Sequence, residues 1–259
     1  MAIITLTTDL GDRDIYQAAL KGSILKLLPN VSLVDITHSV SVFNVPQAAF
    51  ILKNSYHYFP EETVHLIGID TVFSEENRYL AIRYQNHYFV GADNGIFSLI
   101  FDRIPDEIVE INILQDLKFL HFPIADIFVK AACHLAKKGK LADIGIPIIR
   151  LEKKMTLQPV VDKNLIKGSV IYIDSFQNVI TNITKDLFDE VQNGRQFVLY
   201  FKRNESINKL SWHYNEVPEG EKLCLFGISD HLEIAINKGN ASGLLGLNVG
   251  DIVRIEFLD

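Results

Sequence analysis

The run Ala2-Ile3-Ile4-Thr5-Leu6 is short, β-branched and uncharged, and it passes at once into Thr7-Thr8-Asp9-Leu10-Gly11-Asp12-Arg13-Asp14. A strand of that composition is buried on both faces, as in the interior of a parallel sheet. The polar stretch after it reads as a strand-to-helix turn. Gly11 accepts backbone angles that other residues resist, and Asp12 or Asp14 can cap a helix beginning near Ile15. Asp9 then stands at the carboxyl end of the first strand, where open α/β sheets bind their ligands. Two readings stand side by side here: a ligand-binding carboxylate, and a set of helix-capping aspartates.

The rest of the first half continues the alternation of strands and helices. Apolar residues at helical spacing (Ala18, Ala19, Ile24, Leu27, Leu28) stop at Pro29-Asn30, and 31–36 is a second buried-type strand ending at Thr37-His38. A helix is expected over 45–52, and a third strand over 63–69 delivers Asp70. A hairpin over 80–90 turns at Gln85-Asn86, and Gly91-Ala92-Asp93-Asn94-Gly95 leads into a helix over 96–101. A strand over 108–113 precedes a helix over 126–136, closed by Lys137-Lys138-Gly139-Lys140. Near 144–167 the periodicity fades. Short strand-like segments then run over 169–173, 179–183, 196–201, 222–226 and 251–257. The expected class is α/β. A larger N-terminal α/β domain with a mostly parallel central sheet spans residues 1–155, and a smaller C-terminal all-β sandwich or barrel spans 165–259.

A formal charge of −7 disfavours nucleic acid or an anionic membrane as partner, because both reward a basic surface. Cys133 and Cys224 are far apart and read as buried free thiols. There is no charged-then-apolar leader and no apolar run of about 18 residues, so a cytoplasmic enzyme or binding protein is expected. Four polar clusters fall at strand ends: Asp9 with Asp14, His38, Asp70, and Asp93-Asn94. Carboxylates at the carboxyl ends of parallel strands converge on one crevice. A hard cation held by Asp9, Asp70 and Asp93 is the weaker alternative, because His57, His65 and His87 read as surface-strand residues; no metal is expected. His38 is the best functional histidine, with a structural role equally open. In the second half, Asp174 and Asn178 flank Phe176 just after a buried strand. The amide suits an adenine edge and the ring suits stacking, while the structural alternative is an Asx turn with a core phenylalanine.

Taken in order, these stretches resemble a known family. Thr8-Asp9-Leu10-Gly11 with Asp14, Lys21-Gly22, Pro29, Asp35-Ile36-Thr37-His38, Ala48-Ala49-Phe50, Phe59-Pro60 and Asp93-Asn94-Gly95 are similar to the amino-terminal half of the S-adenosyl-L-methionine hydroxide adenosyltransferases, relatives of the fluorinase and chlorinase. Asp174, Phe176, Asn178, Thr181-Asn182-Ile183 and Leu232 to Gly239 are similar to the carboxyl-terminal half. The resemblance implies a homotrimer whose sites lie between one subunit's large domain and its neighbour's small one, with S-adenosyl-L-methionine or adenosine as ligand and no further cofactor. It implies displacement at the 5′ carbon with methionine leaving from a sulfonium. Asp9 would hold the ribose hydroxyls, with Asp14 in the same ligand-binding motif, and Phe43 would pack near the reacting carbon. Asp174 would bind the methionine ammonium, and Phe176 with Asn178 would cradle adenine.

The hydrolase pattern is incomplete. Asp70 is present as the residue that orients water, but the glycine-rich stretch after it has become Thr71-Val72-Phe73-Ser74. The arginine position falls on Asn77, with Arg78 beside it as a stand-in. Pro123 occupies the histidine position in Phe122-Pro123-Ile124-Ala125-Asp126, and nearby His121 reads as a loop residue. The resemblance therefore implies a hydrolase working through Asp70 and Arg78. The alternatives are a transferase that dehydrates another nucleophile, such as halide, among Phe43, Val72 and Ile124, or a binding homologue without turnover.

Overall fold

The amino-terminal apolar run forms β1 (Ala2–Thr8), in which Ile4 and Leu6 are fully buried. The computed structural model describes residues 1–71, 78–202 and 205–258. The chain divides into two units, Met1–Thr156 and Leu157–Asp259.

In the first unit β1 is followed by α1 (Tyr16–Leu27), β2 (Val31–Thr37), α2 (Val45–Lys53), β3 (Val64–Gly68), β4 (Tyr79–Tyr84), β5 (His87–Ala92), α3 (Ile96–Ile100), β6 (Glu107–Ile111), α4 (Ile127–Ala136) and β7 (Gly145–Pro147). Among the described residues these strands make one sheet in the order β2-β1-β3-β5-β4-β6-β7. Pairing is parallel across β2, β1, β3 and β5, and antiparallel across β5, β4, β6 and β7. The sheet is therefore mixed, not mostly parallel. The hairpin at Gln85-Asn86 reverses the chain without a crossover. Both residues adopt positive φ (48° and 62°), which matches the twist of the flanking strands.

Side chains alternate across the sheet and feed two cores. Ile4, Leu6, Val64 and Leu66 pack with Leu20 and Ile24 of α1 and Phe128 of α4. On a second core, Ile67, Ile82 and Phe89 pack with Ala48, Ala49 and Leu52 of α2 and Phe97 of α3. The small Ala48 and Ala49 let α2 lie close. The aspartates expected to cap α1 do not. The residue before the helix is Ile15, no side chain caps it, and Asp12 and Asp14 stay exposed.

His65 and His87 also depart from expectation, since both are buried within the sheet. Thr5 Oγ1 lies 2.7 Å from His65 Nδ1, and His65 Nε2 lies 3.2 Å from His87 Nδ1. The His65 ring stacks on Phe89, with Tyr56 edge-on. Position in the middle of a sheet, rather than local alternation, decides their burial.

The second unit contains β8 (Val160–Asp162), β9 (Leu165–Ile173), β10 (Val179–Thr184), α5 (Lys185–Gln192), β11 (Gln196–Lys202), β12 (Glu205–Ile207), β13 (Lys222–Phe226), β14 (His231–Ile236), α6 (Ala241–Leu245) and β15 (Ile252–Leu258). The sheet order is β12-β11-β15-β9-β10-β14-β13, with β8 on β9. The long β9 pairs with β15 through its first half and β10 through its second, which lets the sheet coil. A bridge from Leu210, just past edge strand β12, to Cys224 on the other edge strand nearly closes it into a barrel. The unit is not all-β. Thr184 caps α5 by accepting from the Leu187 amide, and Phe188 packs its ring against Phe197, Phe226 and Phe257. Cys133 and Cys224 are buried free thiols, raised by burial to about 11 and about 12.

Burial, with His87 beside it, pushes His65 down to about 3 from 6.5. Between those values the unfolded chain binds a proton that the folded chain does not, so stability falls as pH drops from 6.5 toward 3. The limit is about 1.4 kcal/mol per pH unit. His65→Phe lowers stability near pH 7 by roughly 1–2 kcal/mol through the orphaned Thr5 hydroxyl, yet flattens the acid slope. Urea melts at pH 7 and pH 4.5 check both; equal slopes in the two proteins would refute the burial of a neutral ring.

Candidate active site

The strand order β2-β1-β3 reverses direction at β1, and such a switch point leaves a crevice outside the carboxyl ends of the two strands that flank it. Those strands are β1 and β3, and the first acid beyond each is Asp9 and Asp70. The Asp9 amide reaches Gly68 O at 3.4 Å, tying the two strand ends together.

Asp9 is held from several directions. Its Oδ2 accepts the Phe43 amide at 2.9 Å. Phe43 adopts φ of +62°, an outlier for a bulky residue costing about 1–3 kcal/mol. Its ring is 62% exposed, so the strain serves the backbone amide rather than packing. His38 fastens the neighbouring turn. Its carbonyl accepts the Gly11 amide at 2.8 Å, and its Nδ1 lies 2.6 Å from Thr8 Oγ1. Gly11 sits at φ +67°, as the turn requires. Behind His38, Asp35 contacts Nε2 at 3.1 Å and Lys21 Nζ at 2.6 Å. Burial raises the Asp35 carboxyl, but Lys21 and His38 beside it outweigh that and hold the group below its ordinary value. His38 is thus fastened through Nδ1 and its carbonyl, while its buried Nε2 has Asp35 Oδ1 nearby but out of hydrogen-bond geometry. Asp14 is exposed on the approach to α1.

Asp70 has φ of +46°, which an aspartate tolerates better than most residues. Asn94 braces it, donating from Nδ2 to Ile69 O at 2.8 Å and to Asp70 O at 3.4 Å. Among the described residues no hydrogen bond reaches the Asp70 carboxylate. Asp93, by contrast, is consumed. Its buried carboxylate pairs through Oδ2 with Arg78 Nη2 and accepts the Glu152 amide on Oδ1 at 2.9 Å. Arg78 Nη2 also reaches Arg150 O at 3.3 Å. A cation shared by Asp9, Asp70 and Asp93 would have to displace these partners. The structure thus places Arg78 on Asp93, with Nε and Nη1 unengaged among the described residues. Val72, Phe73, Ser74 and Asn77 lie outside those residues. Pro123 is buried in a 3-10 turn, Pro123–Ala125, and His121 is exposed.

In the second unit, Asp174 and Asn178 close a hairpin turn, with the side chain of Asp174 bonded to the residue four positions on rather than two positions on as in an Asx turn. Asp174 accepts the Asn178 amide at 2.8 Å and its side-chain Nδ2 at 3.1 Å. Phe176 at the tip is 81% exposed, so it is not the core residue that the structural alternative assumed. Phe176 and Asn178 line a cavity of about 600 Å³ with Tyr214, Asn237, Gly239 and Asn240. Tyr214 is a site residue that the sequence did not disclose. Its hydroxyl donates to Glu233 Oε2 at 2.9 Å. Burial raises both groups, and the charge of Asp174 raises both further. The one available signal was Glu233 itself, an acid inside the apolar run Leu232-Glu233-Ile234-Ala235-Ile236.

Residues 4–145 match the SAM hydroxide adenosyltransferase N-terminal domain, and residues 168–254 match the corresponding C-terminal domain. A Methanocaldococcus jannaschii protein named (R)-S-adenosyl-L-methionine hydrolase is 28% identical over 272 residues, spanning 98% of this chain and 96% of its own. A fluorinase from an Actinoplanes species is 32% identical over 81 residues, 31% of this chain and 27% of that one. A crystal structure of an uncharacterized conserved protein from Thermotoga maritima has a TM-score of 0.87 at 29% identity, covering 98% of this chain and 99% of that one. With both domains matched in order along the chain, the protein belongs to the SAM hydroxide adenosyltransferase family.

Proposed function

We propose that the protein binds S-adenosyl-L-methionine and hydrolyses it to adenosine and L-methionine. The observation that carries this reading is the position of Asp9 and Asp70 just beyond the carboxyl ends of the adjacent parallel strands β1 and β3, at the switch point of the sheet. Asp9, fixed through one oxygen by Phe43, keeps acceptor capacity for ribose hydroxyls. Asp70, with its carboxylate unengaged among the described residues, orients a water behind the 5′ carbon. The water oxygen bonds to that carbon as the carbon–sulfur bond breaks. The electron pair stays on sulfur, giving the neutral thioether of methionine, and the water proton leaves by way of Asp70. A sulfonium leaving group needs no protonation, so alignment and exclusion of bulk water are the main demands on the protein.

Phe43 then packs beside the reacting carbon, and Asp14 joins the polar entrance. Asp174 takes the methionine ammonium, while Phe176 and Asn178 take adenine; a cavity of about 600 Å³ is ample for a nucleobase. Arg78 contributes through its Nε and Nη1 edge, which the Asp93 pairing leaves over. No metal or additional cofactor has a role in this proposal, and neither nucleic acid nor membrane is a partner. Among the described residues no helix is long and apolar enough to cross a membrane. A cytoplasmic location and a homotrimeric assembly belong to the same proposal; sedimentation equilibrium returning the 29.3 kDa of one chain would overturn the assembly.

The engagement of Arg78 by Asp93 and the burial of Pro123 favour a second reading, a homologue that binds the ligand without turnover. Chromatography after incubation with adenosylmethionine, with and without halide, separates the possibilities. Adenosine supports hydrolysis, a 5′-halo nucleoside supports halide as nucleophile, and unchanged substrate with calorimetric binding supports the second reading. Under the hydrolase reading, Asp70→Ala lowers kcat by about a hundred-fold or more and leaves affinity within about three-fold. Asp9→Ala weakens binding roughly ten-fold or more, and unchanged affinity would remove its ribose role. Arg78→Met leaves the buried Asp93 charge unpaired and costs about 3–5 kcal/mol of stability. A chemical-denaturation midpoint within error of wild type would show the pair to be dispensable.

A further inference from the structure

We infer that Glu233 is a positioning residue: its buried carboxylate fixes the Tyr214 ring as one wall of the cavity lined by Phe176, Asn178 and Asn240, and so sets how tightly a flat ring is held there. The identity of that ligand rests on the nucleoside reading above, but the geometry does not.

Glu233 lies in the middle of β14, between Leu225 of β13 and Ile180 of β10, and is 5% exposed. Leu232 and Ile234 turn to the other face of the strand; on the face of Glu233 lie Ala235 and the cross-strand Leu225, which form a small buried apolar cluster with Leu223. A carboxylate in such a place is costly unless something compensates it. The side-chain partner present is the Tyr214 hydroxyl, 2.9 Å from Oε2. The loop after β13 is also shaped around the group. A Cβ on Gly227 would stand 1.6 Å from Glu233 Oε1, so glycine at this position lets the carboxylate keep the place in which it meets Tyr214. Three separated pieces of chain therefore meet at this one acid: β14, the 3-10 turn Tyr214–Glu216, and Gly227.

What they hold is a ring with its hydroxyl turned inward. Tyr214 remains 42% exposed and borders the cavity, while its hydroxyl donates to Glu233. The other aromatic lining the cavity, Phe176, is 81% exposed and has no such anchor among the described residues. A side chain immobilised before the ligand arrives loses less entropy on binding. A carboxylate with a purely structural role would be replaceable by an isosteric apolar residue with no effect on the cavity. Glu233 touches the cavity only through the tyrosine, so its effect on binding must vanish when the hydroxyl is gone.

The test uses the full chain, with adenosine affinity measured by calorimetry. Glu233→Leu and Tyr214→Phe are each expected to weaken binding roughly ten-fold. Glu233→Gln keeps an acceptor for the hydroxyl and is expected to stay within about three-fold of wild type. In the Tyr214→Phe background, Glu233→Leu is expected to add nothing; losses that multiply would overturn the inference. A second readout needs neither ligand nor Glu233→Leu. With tyrosine labelled at the Cζ carbon, the Tyr214 signal, assigned by its loss in Tyr214→Phe, should titrate above the ordinary tyrosine range in wild type and move down in Glu233→Gln. An identical titration in the two proteins would overturn the positioning role. If wild type binds no adenosine, the nucleoside reading falls, and the labelled-tyrosine comparison alone decides for or against Glu233.

Discussion

Parallel pairing of β1 with both β2 and β3 is the constraint on which the strand-end site depends. Leu6 lies opposite Asp35 on one side and Leu66 on the other, and Thr8 lies opposite Gly68. With all three strands running the same way, the loops that leave their carboxyl ends emerge at the same edge. That is why Asp9, His38 and Asp70 are neighbours despite their separation in sequence. The register is kept by a close approach at Gly68. A Cβ there would sit 1.9 Å from Ile124 Cδ1 and 3.2 Å from Thr8 Cγ2. The buried turn Pro123–Ala125 is thus seated directly on the end of β3, and a larger residue than glycine would push the Ile124 side chain aside. The same contact seats Phe122-Pro123-Ile124 at this edge. It closes the edge with apolar packing, where Tyr16 and Phe122 bring their ring centroids within 5.4 Å.

How much of this was legible in the sequence depended on how local the cause was. The hairpin at Gln85-Asn86 and the turn at Gly11 are set by a few consecutive residues, and each was read from them. Antiparallel strands beside the parallel ones were legible in that hairpin, but a mostly parallel sheet was still expected, because the further antiparallel pairing depends on β6 and β7 adding beside β4 and β5, a choice made between distant segments. Helix α5 was passed over because its eight residues sit between strands, although Thr184 with Leu187, Phe188 and Val191 encodes a cap and an apolar face. His65 and His87 misled for a related reason. Alternation places them on one face of their strands, but only the packing of Tyr56, Phe59 and Phe89 over that face buries them. Tyr214 and Glu233 met through tertiary structure alone, nineteen residues apart.

The Arg78–Asp93 pair organises the turn next to the end of β3. Asp93 Oδ1 draws in the Glu152 amide, and Lys154 N donates to Ser98 Oγ at 2.9 Å, so the segment after β7 is strapped across the turn following β5. Within that turn Gly95 stands at φ +91°, where a Cβ would meet Lys154 Cβ at 2.7 Å. Next to it Asn94 spends its side chain on both sides, accepting the Ile96 amide at 3.2 Å and donating to Ile69 and Asp70 carbonyls. The sequence of supports therefore runs from Arg78 to Asp93, from Asp93 to the strap and turn, and from Asn94 to the left-handed backbone of Asp70. A left-handed aspartate persists only where its surroundings over-determine it. Here the surroundings are an ion pair with one partner fully buried, which is weak evidence for added stability but strong evidence for a fixed geometry. Displacement at a sulfonium asks the protein for placement more than for proton transfer. Arg78, held on Asp93, thus supports through the strap and Asn94 the turn that carries Asp70.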